Sequence, residues 1–172
     1  MLRAQLAPAY AQFPAGLLAP FSRAFLEEST QGRLHEKLAD TLQGSGGSAS
    51  ASTVKIDVSY ELRHHQLQAL VVPDGRAADQ GHAAAMLPHL RAGDLVIRDL
   101  GYCSLDALSQ IVTKQAWCLS RLRNRVAVYP SAEETGPALA LGEHLQRHAG
   151  QHPVVELAVS LGQPRLPCRL FA

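Results

Sequence analysis

Residues 53–62 read TVKIDVSYEL, and this alternation constrains the chain more than any other stretch. Val54, Ile56, Val58, Tyr60 and Leu62 alternate with Lys55, Asp57, Ser59 and Glu61. A repeat of two matches side chains that leave a strand on opposite faces, and no helix can carry it. The segment is therefore expected to be a strand with one apolar face. Arg63-His64-His65 follows as a polar turn, and QLQALVVP supplies a second strand that ends at Pro73-Asp74-Gly75. The two are expected to pair as an antiparallel hairpin.

The flanking segments extend the pattern. Ala24-Phe25-Leu26 reads as a short strand ending at Glu27-Glu28. Asp79 is placed to cap a helix running to about Arg91, with Pro88 tightening its end. A buried strand over 94–98 follows. Ser104 then caps a helix to Lys114 that carries Leu105, Leu108, Ile111 and Val112, and AWCLSRLR is a further strand. Three strands in a meander, then strand–helix–strand with parallel crossovers, is the topology of a ribonuclease H-like fold. The expected class is thus α/β, a mixed sheet with flanking helices. Residues 1–20 read as a lead-in and 21–123 as the partial core. Residues 124–172, with short strands and one helix near 137–149, read as the start of a β-rich insertion subdomain. The Gly/Ser-rich stretch 43–53 reads as a flexible loop.

Composition narrows the class of partner. The chain has 172 residues, enough for one domain with a real core, and a net charge of +1. A strongly basic nucleic-acid binder is not indicated. Even so, Arg98, Lys114, Arg121, Arg123 and Arg125 gather in or just after the 92–125 block. The three cysteines, Cys103, Cys118 and Cys168, form no C-x-x-C pair, which suggests free thiols and a cytoplasmic location. No apolar run reaches the roughly 18–20 residues needed to cross a bilayer, so no membrane association is expected.

Two carboxylates then stand out. Glu28 lies just past the first strand, and Asp99 ends the apolar run Leu95-Val96-Ile97. In a ribonuclease H-like sheet those strands are neighbours, so their ends bring both carboxylates to one crevice. Paired carboxylates bind hard divalent cations. Taken singly, Asp99 is also placed to cap the next helix, and Glu28 to be a solvated turn residue.

The stretches LEESTQGRLHEKLADTLQGSGGSASASTVKIDVSYEL, VVPDGRAADQ, AGDLVIRDLGYCSLDALSQI and AWCLSRLR together resemble the catalytic blocks of insertion-sequence DDE transposases, in the right order over roughly residues 20 to 172. The resemblance implies cutting and joining of transposon DNA ends by metal-dependent phosphoryl transfer, with Mg2+ or Mn2+ held by three carboxylates. It implies that Asp99 matches the second aspartate, that Glu28 stands where the first is expected, and that Ser29 and Thr30 match the Ser-Thr after it. It further implies DNA contacts for Arg121, Arg123, Lys55 and Thr30.

Two departures accompany the match. A glutamate at 28 moves the carboxylate by about an ångström, and a misplacement of that size can cost ~100-fold in rate. The family's third residue, a glutamate on a later helix, has no good counterpart among Glu133, Glu134, Glu143 and Glu156. The expectation is a transposase fragment, inactive alone and prone to homo-oligomerise through an uncovered sheet face. Three alternatives are a non-enzymatic DNA-associated remnant, a receiver-like phospho-acceptor domain suggested by DLVIRDLG, and a zinc site at His144, His148 and His152.

Overall fold

Four strand pairings assemble the larger sheet. The strands are β1 (Ala24–Arg33), β2 (Thr53–Glu61), β3 (Gln66–Val71), β4 (Leu95–Arg98) and β5 (Trp117–Ser120), in the order β3-β2-β1-β4-β5. The β1–β2 and β2–β3 pairs are antiparallel, and the β1–β4 and β4–β5 pairs are parallel. This is the expected ribonuclease H-like arrangement, seen in a computed structural model that describes residues 16–44, 51–73, 75–77, 79–130, 136–148 and 154–172. The antiparallel pairings exclude the wholly parallel sheet of a receiver domain. Helices α1 (Asp79–Met86) and α2 (Leu105–Thr113) supply the crossovers, and α1 passes into a 3-10 turn over Leu87–His89. A second, antiparallel sheet has the order β6 (Val128–Tyr129), β7 (Glu156–Leu161), β8 (Leu166–Phe171), and α3 (Leu141–His148) lies between β6 and β7 in the chain.

Several boundaries differ from expectation for identifiable reasons. β1 does not stop at Glu28: it pairs with β2 from Phe25↔Glu61 to Arg33↔Thr53. Its second half, Glu28 to Arg33, is poor in strand formers, so long-range pairing overrides local preference. Asp79 is the first residue of α1 rather than its cap, and Pro88 tightens the chain into the 3-10 turn, so the α-helix ends five residues before Arg91. Ser104 does cap α2, accepting a hydrogen bond from the Ala107 N–H at 3.1 Å.

The covered face of β2 is its polar one. Thr53, Lys55, Asp57, Ser59 and Glu61 are the buried set, while Val54, Ile56, Val58 and Tyr60 are half-buried. The polar face lies under the helices with Phe25, Val96, Met86, Leu87, Leu90 and Ile111. Several of its polar groups have partners there, while the Thr53 hydroxyl has no hydrogen-bond partner among the described residues. Lys55 donates to the Ala77 carbonyl at 2.9 Å and sits 3.4 Å from Asp57, which accepts from the Tyr102 hydroxyl at 3.2 Å. Glu61 accepts from the Ala24, Arg63 and His64 backbone N–H groups. Burial works to raise its pKa, but these hydrogen bonds outweigh it and hold Glu61 below the usual carboxylate range. Arg98 lies 2.7 Å from Glu27 with both side chains at 0% exposure. That contact is close but poorly angled, and neither group completes its hydrogen bonds among the described residues.

The apolar face is the open one. Leu18 and Phe21 cover Ala24, Leu62 and Leu95 at one end of it. Beyond them Leu67, Leu70, Trp117 and Leu119 stand between 54% and 61% exposed. The pairings Leu26↔Tyr60, Leu26↔Ile97 and Ile97↔Leu119 carry one continuous surface across the four strands from β2 to β5.

Helix α2 joins the two sheets. Ile111 belongs to the core of the larger sheet, and Leu105 and Leu108 pack on Val128, Val159, Leu161 and Leu166 of the smaller one. Gly162, in the turn after β7, has φ +63, and a Cβ there would fall 2.3 Å from Leu105 Cδ1. Gly162→Ala is expected to destabilise the chain by about 1–3 kcal/mol through left-handed backbone strain and overpacking, read from denaturant unfolding. Glu27 gives a pH test. Burial pushes its pKa from 4.5 up to about 7 against the pull of Arg98. The native state then keeps a proton that the unfolded chain has released, so stability falls as pH rises through that window. Relative to Glu27→Gln, the wild type should lose about 1–3 kcal/mol between about pH 5 and about pH 8. A flat difference across that range would refute the assignment.

Candidate active site

The parallel register of β1 against β4 builds the site. It runs Ala24↔Leu95, Phe25↔Val96, Leu26↔Ile97, Glu27↔Arg98. The next residue on each strand is Glu28 and Asp99, so the two follow in the same register at strands about 4.8 Å apart. Glu27 and Arg98 point to the covered face. Glu28 and Asp99, one residue on, emerge at the open apolar face.

Asp99 ends β4 and precedes the 3-10 turn Leu100–Tyr102. Its backbone is extended, with φ −78 and ψ 170, and its side chain makes no capping hydrogen bond. The carboxylate instead meets Arg121, whose Nε and Nη2 donate to Asp99 Oδ1 at 3.0 Å and 2.5 Å. The guanidinium, with a smaller contribution from the Leu100 N–H, holds Asp99 below the usual carboxylate range. Glu28 is exposed, and its Oε1 accepts from the Ser29 N–H at 3.1 Å. Thr30 lies two residues further along the same face of β1. A shallow depression of about 240 Å³ lies beside Glu28, lined by Leu26, Glu28, Ser29, Thr30, Ile56, Val58 and Tyr60.

The basic residues divide into three roles. Arg121 faces Asp99, as above. Arg123 is exposed and donates to the Leu100 carbonyl at 3.2 Å and 3.0 Å, bracing the turn behind Asp99. Lys55 is 1% exposed and committed to the core, which corrects the phosphate contact expected of it. Sequence reasoning missed the Glu27–Arg98 pair. Its signal was present, since the residue before each candidate carboxylate is itself charged and of opposite sign to the other.

As a donor set the pair fits a hard cation only in part. Two carboxylates offer oxygen ligands of the right kind, and water or further oxygens must complete the shell. Among the described residues no group of three or more His, Cys, Asp or Glu converges. Glu143 is on α3, and Glu156 pairs with Arg169 across the smaller sheet. Glu133, Glu134 and His152 lie outside the described residues. His144 and His148 both belong to α3. No described helix is long and apolar enough to cross a membrane.

Comparison with known proteins gives the family. The family model described as Transposase DDE domain matches residues 21–160. The transposase for insertion sequence element IS231E of Bacillus thuringiensis subsp. finitimus is 35% identical over 116 residues, 67% of this chain and 24% of that protein. The IS231F transposase of Bacillus thuringiensis subsp. israelensis is 34% identical over 135 residues, 76% of this chain and 28% of its own length. The IS1151 transposase of Clostridium perfringens is 26% identical over 117 residues. Among solved structures, a simian T-cell lymphotropic virus intasome in complex with PP2A regulatory subunit B56 gamma aligns with TM-score 0.40 and 10% identity, covering 70% of this chain and 43% of that one. The chain spans about a quarter of the length of the curated relatives it matches. With the match extending over most of its residues and the mixed sheet in the expected order, this chain belongs to the DDE-domain transposases.

Proposed function

We propose that this chain carries two of the carboxylates of a transposase centre, Glu28 and Asp99, which hold Mg2+ or Mn2+ for cutting and joining transposon DNA ends. The observation that carries this reading is the β1–β4 register, in which Glu28 and Asp99 follow the Glu27↔Arg98 pair on the exposed side. A divalent ion bound there would supply Lewis-acid stabilisation and an activated oxygen for phosphoryl transfer. The chain's own residues do the rest. Arg121, already beside Asp99, neutralises an incoming phosphate, and Arg123 braces the turn while presenting further positive charge. The Thr30 hydroxyl hydrogen-bonds the DNA backbone. Residues 21–123 act as the core and 124–172 as the insertion subdomain.

In this reading a third carboxylate from outside the described residues completes the centre, and Glu28 and Asp99 by themselves do not support cleavage. The open face beside Glu28 and Asp99 supports that division, because a covering element that brings a carboxylate would also bury Leu70, Leu119 and Trp117. The same exposed face supports self-association when it is left uncovered. A net charge of +1 leaves little unaided affinity for DNA.

Three outcomes test the proposal. Mn2+ binding, followed by paramagnetic relaxation of water protons, should weaken at least about tenfold in Asp99→Ala, in line with loss of one of two charged ligands. No Mn2+-dependent nicking of supercoiled plasmid is expected from the chain alone, and Glu28→Asp should not restore it. Robust nicking that disappears in Asp99→Ala would overturn the claim of incompleteness, and Mn2+ binding unaffected by Asp99→Ala would overturn the site. Light scattering should show oligomers, against which a monomer with a sharp thermal transition would count.

A further inference from the structure

The β4–β5 pairing ends at Arg98↔Ser120, so Asp99 and Arg121 are the next residues on two parallel strands about 4.8 Å apart. The Ser120 hydroxyl donates to the Arg121 carbonyl at 3.2 Å, and Arg123 donates to the Leu100 carbonyl at 3.2 Å and 3.0 Å. The backbone around the Asp99–Arg121 contact is thus tied by bonds that do not involve the contact itself. On the other flank of β4, Glu28 follows the last β1–β4 pair, Glu27↔Arg98. Asp99 therefore has a carboxylate-bearing strand on one side and a guanidinium-bearing strand on the other.

The form of the contact is informative. Arg121 Nε and Nη2 both donate to Asp99 Oδ1, at 3.0 Å and 2.5 Å. Two donors on one oxygen are not the fork-on-fork pairing that engages both carboxylate oxygens. The Arg121 side chain is 74% exposed and that of Asp99 44%. An exposed ion pair of this kind contributes little stability and is screened by salt. Arg121 is held at the solvent, and no core contact depends on its staying there.

We propose that Arg121 is a counter-ion latch: it occupies Asp99 Oδ1 until a divalent cation takes that oxygen and releases the guanidinium. The proposal rests on the reading of Glu28 and Asp99 as cation ligands and adds the group that competes for them. Charge sets its direction. A cation at Asp99 takes the oxygen that both Arg121 donors use and repels the guanidinium as a like charge. Without a cation, Arg121 supplies the positive charge that carboxylates on neighbouring strands otherwise lack. A residue that served only to hold Asp99 in place would act the other way, and its loss would weaken cation binding. The two roles predict opposite signs.

The test uses the intact folded chain with Mn2+ or Mg2+ alone. Arg121→Gln should tighten Mn2+ binding about three- to tenfold, read by relaxation of water protons, a scale set by the weakness of exposed ion pairs. Arg121→Lys, which keeps the charge, should stay closer to wild type. The gain in Arg121→Gln should shrink as potassium chloride is raised, because an exposed pair is screened. In the isotope-labelled wild type, the Arg121 Nε–H resonance, assigned by its absence from Arg121→Gln, should shift as Mg2+ is added; in Asp99→Asn it should not respond. Unchanged or weaker Mn2+ binding in Arg121→Gln, or an Nε–H resonance indifferent to saturating Mg2+, would overturn the latch and leave the cation site standing. Absence of Asp99-dependent Mn2+ binding in wild type and Arg121→Gln alike would remove the site and the latch together.

Discussion

The register of β1 against β4 is the constraint on which the rest of the structure depends. Two ion pairs hold it, one at each end. Arg23 grips the buried Asp94 through Nε and Nη2 at 3.0 Å and 2.6 Å, just before the two strands begin to pair. Glu27 meets Arg98 where the pairing ends. Asp94 also accepts from the Arg91 N–H, so the chain entering β4 is fixed as well. A slip of one residue would turn every side chain of a strand to the other face. Glu28 would then be buried against the helices and Glu27 exposed, and both ion pairs would be lost. Breaking either pair singly would leave a buried charge uncompensated, which is why the register is strongly specified even though β4 is only four residues long.

The same pairs explain why the sheet is polar on its covered side. Lys55, Asp57 and Tyr102 form one buried group and Glu27 with Arg98 another, while Glu61 ties the end of β2 to the start of β1 through three backbone N–H groups. Such groups cost more to bury than leucine or valine and contribute mainly by fixing which arrangement is compatible with a partner for every charge. The apolar face, freed from the helices, carries the open surface around Glu28 and Asp99. Polar support underneath and carboxylates above is an arrangement in which the supporting residues act on the site through strand position alone.

Much of this was legible in the residues. The alternation over 53–62 gave a strand, QLQALV formed its antiparallel partner, and Ser104 capped the helix that it was expected to cap. Asp99 was singled out as the carboxylate that ends the run Leu95-Val96-Ile97; it stands at the N-cap position of the 3-10 turn, but its side chain makes no capping hydrogen bond. The length of β1 was not legible, because Glu28 to Arg33 is strand only by virtue of its partner β2. Lys55 could not be placed either. A lysine in an alternating strand reads as solvent-exposed until Asp57 and the Ala77 carbonyl are known to wait for it.

The sequence by itself determined the periodicities, the order of the elements and the identity of the two candidate carboxylates, because these depend on residues near one another in the chain. Only the tertiary structure decided which side of β2 would be covered, and that Glu27 would be buried against Arg98. A repeat of two divides a strand into two faces without saying which faces inward. That choice belongs to distant partners, here Arg98, Tyr102 and the helices, whose charges and apolar side chains must all be satisfied at once.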